Sequence, residues 1–62
     1  MELHKLAYTQ DADTGKFILF EEIGGRDVEV IKASDLESIL DVIASNYEQV
    51  GATTDYGVYI AI

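Results

Sequence analysis

Carboxylates are the side chains of this sequence whose number and spacing suggest chemistry. Twelve of the 62 residues are Asp or Glu, against four Lys and Arg and one His. Glu22, Asp27 and Glu29 flank the Gly24-Gly25 pair of "FEEIGGRDVE", and Glu37, Asp41 and Glu48 follow at helical intervals. On one face of a strand, Asp27 and Glu29 stand about 7 Å apart, from a rise of about 3.4 Å per residue. One helical turn separates Glu37 from Asp41 by about 6 Å. Rows of this kind approximate the charges of a nucleic-acid backbone and suit a groove built to hold one. Acids on an edge strand or a helix face also arise as plain solvated surface that discourages edge pairing. A surplus of threefold along the whole chain exceeds what solubility needs and favours a binding role.

Other constellations are weaker. "DADTGKFILFEE" places Asp11, Asp13 and Glu22 at positions one, three and twelve of a calcium loop. Position five is Gly15 and position six is Lys16, where the loop needs an Asp or Asn and a Gly. A tight turn with Gly15 at positive φ is the better reading. His4 has no second His and no Cys to share a metal with, and no recognisable nucleophile or oxyanion donor to serve as a general base. Glu21 and Glu22 point to opposite faces of a strand and cannot act as a paired acid and base. Gly24-Gly25 lacks the downstream Lys and the strand-to-helix setting of a phosphate loop. No catalytic, metal or cofactor site is therefore predicted.

The elements that position these residues follow from periodicity. Residues 1–9 and "KFILFEEI", Lys16 to Ile23, read as strands joined by the Asp, Thr and Gly cluster of "QDADTGK". "RDVEVIK", Arg26 to Lys32, alternates and forms a third strand across a two-residue glycine turn. With that turn, Glu22 faces Asp27, Glu21 faces Val28, Phe20 faces Glu29, Leu19 faces Val30 and Ile18 faces Ile31. Leu19, Glu21, Val28 and Val30 then share the core side. Ile18, Phe20, Glu22, Asp27, Glu29 and Ile31 share the other.

In "ASDLESILDVIASNYEQVG" the period switches to that of a helix, with a stripe of Leu36, Ile39, Leu40, Ile43 and Tyr47. Ser34 and Glu37 have the spacing of a capping box, and Gly51 suits the residue after the helix. "YGVYIAI", Tyr56 to Ile62, is a last strand apolar on both faces. The predicted fold is α+β, a single small β-β-β-α-β domain over residues 1–62. Its four-stranded, mainly antiparallel sheet takes the order 4-1-2-3, with 1-2-3-4 as the alternative, and the last strand runs parallel to the first. One helix covers one face and leaves the other open to water or to a partner.

A formal charge of -8 with no Cys excludes disulfide scaffolds and thiolate zinc sites. It disfavours direct nucleic-acid binding, which needs clustered Lys and Arg, and self-repulsion favours a monomer. No apolar run is long enough to cross a membrane, and "MELHKLAY" lacks the pattern of a signal peptide. A cytoplasmic protein with a basic protein partner is the expectation.

In size, acidity, absence of Cys and a lone α/β domain carrying "DTGKFILFEEIGGRDVEV", the whole chain resembles the small acidic anti-CRISPR proteins of phages. The resemblance is to the DNA-mimic kind, and within it to inhibitors of type I-C systems. It implies a non-enzymatic inhibitor in the bacterial cytoplasm. The implied target is a basic DNA-channel or protospacer-adjacent-motif-reading surface of a Cascade subunit. No motif defines such proteins, so the contact residues come from the reading of the chain itself: Glu22, Asp27 and Glu29, with Glu37, Asp41 and Glu48 as a second group and Phe20 as apolar anchor. The alternative is a structural or regulatory interaction module that uses the open sheet face.

Overall fold

Leu19 and Ile39 have no exposed surface, and with Leu6 and Ile43 they form the centre around which the chain is arranged. The computed structural model describes residues 2–62. Its elements are β1 (His4–Gln10), β2 (Phe17–Ile23), β3 (Arg26–Ala33), α1 (Leu36–Asn46), β4 (Tyr47–Ala52) and β5 (Gly57–Ala61). The strands form one sheet of order β3-β2-β1-β5-β4 in which all neighbours are antiparallel.

The fold is α+β with one helix, but the sheet has five strands in place of the predicted four, so its full order differs: β5, the predicted last strand, lies beside β1 as 4-1-2-3 requires, and the unpredicted β4 is added outside it as an edge. "YEQVGA" is an edge strand, β4, instead of the last turns of the helix. Because β4 reverses the chain, β5 meets β1 antiparallel instead of parallel.

Asn46 marks the break. Its side-chain amide folds back one turn to donate to the Val42 carbonyl at 2.8 Å, and the Tyr47 N–H makes the last helical hydrogen bond, to the Ile43 carbonyl. Tyr47 is already extended, and Ile62 N–H donates to the Asn46 carbonyl at 2.9 Å. At the other end Asp35, not Ser34, is the N-cap, and it makes no side-chain capping hydrogen bond. The predicted Ser34 to Glu37 capping box is absent because the helix begins one residue later than its spacing requires.

β3 and β4 are opposite edges of the sheet, so α1 crosses it from side to side, packing on β2, β3 and β4. Ile39 and Ile43 are buried beneath it, Leu36 and Val42 flank them, and Leu40 of the predicted stripe stays exposed. A single diagonal helix cannot cover a five-stranded face. Ile23, Val28 and Tyr8, on the face of Leu19, keep large exposed surfaces. No helix among the described residues is long and apolar enough to cross a membrane.

Candidate functional site

Gly24 and Gly25 both take positive φ, 62° and 83°, a backbone that residues with a Cβ adopt only under strain. That turn fixes the first four pairs of the β2–β3 ladder as Ile23–Arg26, Glu22–Asp27, Glu21–Val28 and Phe20–Glu29. A β-bulge then intervenes: Leu19 faces Ile31, Ile18 faces Lys32 and Phe17 faces Ala33. Val30 is the extra residue, and two residues of β3 oppose one of β2. The predicted pairs Leu19–Val30 and Ile18–Ile31 are thereby corrected. Ile31 leaves the open face and Lys32 replaces it, while Ala33 turns inward against the core.

Each hairpin carboxylate has a partner. Glu22 Oε1 accepts the Gly25 N–H at 2.7 Å, locking the turn, and its Oε2 lies 3.9 Å from Lys5 Nζ on β1. Glu29 lies 3.8 Å from Lys32. Tyr56, at the entrance to β5, donates its hydroxyl to Asp27 Oδ1 at 2.6 Å. That hydrogen bond, helped by desolvation and by the charges of Asp27, Glu22 and Asp55, pushes the phenol up to about 12. Arg26, the cation nearest in sequence, makes no ion pair among the described residues. Repulsion between Glu22 and Asp27 is therefore relieved by Lys5, Tyr56 and a backbone amide. A lysine near 4 Å on a solvated chain contributes little, typically 0–1 kcal/mol, and exchanges readily for another cation.

The predicted second group does not join the first. Glu37 and Asp41 are exposed on α1, which packs on the opposite side of the sheet from Phe20, Glu22, Asp27 and Glu29. Glu48 lies on β4, not on the helix, opposite Ile60. Alternation with the inward Tyr47 and Tyr59 puts Glu48 and Ile60 on the open face, at the far edge from Asp27. The open face thus carries Ile18, Phe20, Val58 and Ile60, all half-buried, with Glu22, Asp27 and Glu29 toward one edge and Glu48 at the other. The loop between β1 and β2 is a turn with Gly15 at φ 75°. There Asp11 uses its carboxylate to accept the Asp13 N–H at 2.8 Å.

On the helix side the structure assembles a group the sequence left scattered. Glu21 projects there with Leu19, and its Oε2 lies 2.6 Å from His4 Nδ1. The two side chains retain only 16 and 18 % of their exposure. Two oxygens of an ionised carboxylate only accept, so Nδ1 carries the proton and donates. The imidazole also meets the Tyr47 ring edge-on at 5.4 Å, and Tyr47 meets Tyr59 in the same way at 6.3 Å. Beside them opens a cleft of about 390 Å³. A signal for this pairing existed in the sequence. Alternation puts Glu21 on the core side with Leu19, where a carboxylate needs a partner, and puts His4 on the face of Leu6.

The chain matches no protein-family model, no curated protein and no solved structure. Geometry and charge alone therefore support a functional reading.

Proposed function

We propose that the chain is a non-enzymatic acidic binding domain. It docks its uncovered sheet face on a basic, nucleic-acid-binding surface of another protein, as an inhibitor of a host defence complex of the kind the resemblance implies, with a Cascade subunit as the target. The observation that supports this reading is that Glu22, Asp27 and Glu29 share one uncovered face with Ile18 and Phe20. The carboxylates steer and orient a cationic partner. Phe20 and Ile18 supply the apolar contact that charge alone lacks. Lys5 and Lys32 are displaced as the partner's own cations arrive. Glu37 and Asp41, on the other side, add to the long-range field and touch nothing in this mode.

Ile18, Phe20, Val58 and Ile60 also favour a second reading, in which the same face is an interaction module of an assembly and its acids only maintain solubility. Salt separates the two. A lysate pull-down at low and high ionic strength, with bound proteins identified, is the first test. The triple variant Glu22→Gln, Asp27→Asn, Glu29→Gln then reports the contribution of the hairpin. For the electrostatic reading its affinity falls at least about tenfold at low salt, about 1.4 kcal/mol, and the parent's own affinity falls as salt rises. An unchanged affinity in the triple variant removes the hairpin from the contact.

A further inference from the structure

We propose that residues 47–50, the first part of β4, are a strand-to-helix switch: they also continue α1 by one turn, and the change decides which strand forms the edge of the sheet. The switch is independent of the partner reading.

β4 is held in place by a single neighbouring strand. It pairs only with β5, a bulge between Gln49 and Gly51 interrupts that ladder, and every residue after Tyr47 is exposed. Of "YEQVGA" only Tyr47 and Val50 are of types that favour strands, whereas Glu48 and Gln49 are good helix formers. Local preference and observed structure disagree here.

The helix needs little rearrangement to go on. α1 passes into β4 with no loop between Asn46 and Tyr47, and the Tyr47 N–H still makes a helical hydrogen bond to the Ile43 carbonyl. One further turn gives the N–H groups of Glu48, Gln49 and Val50 the carbonyls of Ala44, Ser45 and Asn46. Tyr47, which meets His4 and Tyr59 ring to ring, keeps an inward place in both states because both periods point it to the core. Residues 51–56 then link the longer helix to Gly57. Their seven Cα steps reach about 23 Å, and the span to cover is about 17 Å of β4 with about 5 Å of added turn. A second added turn is out of reach, and Gly51 suits the position after the first.

In the helical state β5 becomes the edge. It is the one strand without a charged side chain, and Val58, Tyr59 and Ile60 give it apolar residues on both faces. β4, with Glu48 and its bulge, guards that edge in the strand state.

Carbon-13 saturation-transfer NMR on the unaltered protein reads a minor state directly. Glu48, Gln49 and Val50 are expected to exchange with a state populated at about 1 % whose Cα shifts are helical. Asn46→Ala together with Val50→Ala favours the helix at two exposed positions and should raise that population about tenfold. An oxidised Glu48→Cys, Ile60→Cys pair, which ties directly opposed residues of β4 and β5, should remove it. A minor state with coil shifts, or none above about 0.1 % in the parent, overturns the switch. So does a minor state that the alanine pair leaves at the same population or that survives the disulfide.

Discussion

Glu21 and Glu22 are neighbours in sequence and opposites in circumstance. Glu22 points to the open face, where it holds a turn amide and stands beside a solvated lysine, and its charge is available to whatever approaches. Glu21 points to the helix side, where it grips a half-buried imidazole at 2.6 Å and is committed to that contact. Strand alternation alone separates the two. One face of the sheet keeps its carboxylates exchangeable, whereas the other spends a carboxylate on holding a ring in place. An acidic chain of this size therefore contains two kinds of acid, and total charge does not distinguish them.

The largest expected effect on stability comes from exchanging their fates. Glu21→Ala leaves His4 Nδ1 without its acceptor in a half-buried site and should destabilise by about 2 kcal/mol. Glu22→Ala loses an exposed turn contact and should cost about 0.5 kcal/mol. Urea melts of both variants measure the gap, and Glu21→Gln, which still accepts a hydrogen bond, should recover most of the loss. Equal destabilisation by the two alanine variants would erase the distinction.

A smaller effect sharpens the helix-side half of the comparison. The ring of Tyr59 lies over Gly57, so a Cβ there would meet ring atoms at 2.6 to 3.0 Å. Gly57→Ala must tilt the ring away from the strand and should cost about 1 kcal/mol, the lower end of overpacking because a ring can move. Its amide shift changes should collect around Tyr59, Tyr47 and His4 and spare the β2–β3 hairpin. Changes spread evenly over both would mean that the two faces are mechanically one.

The sequence made one half of this comparison legible and hid most of the other. Register near Gly24-Gly25 followed from the turn, since a two-residue loop leaves one pairing. Beyond Phe20 it did not, because "RDVEVIK" alternates cleanly and a bulge leaves no mark in such a pattern. Tyr47 concealed the fifth strand. Four residues after Ile43 it completes a helical stripe, and as the first residue of β4 it also faces the core, so both periods place it inward. Only Asn46 signals the break. Glu48 was drawn into the helix by the same ambiguity, which is why the second acidic group did not survive as a unit. The His4–Glu21 pair joins residues seventeen apart in sequence, and strand alternation could have put them on one face without showing that they touch.

The smallest expected effect concerns Tyr56 and reads the open face directly. Its hydroxyl donates to Asp27, and the phenol is raised from its ordinary value near 10 to about 12. For a group raised on folding, the stabilisation is fully present below pH 10 and is lost as pH climbs through 12. At neutral pH the bond is intact, but it is exposed and water can replace it, so Tyr56→Phe should lower a melting curve only slightly. An ultraviolet titration of the parent should show a late tyrosinate step near pH 12 that disappears in Tyr56→Phe and moves down in Asp27→Asn. No late step in the parent would mean that the phenol does not hold Asp27. If it does, Tyr56 becomes a reporter for the proposed docking. A partner cation that pairs with Asp27 competes for the oxygen the phenol uses and cancels the charge that raises it, so binding should lower the Tyr56 titration. A partner held only by Ile18 and Phe20 would leave Asp27 charged and the late step in place.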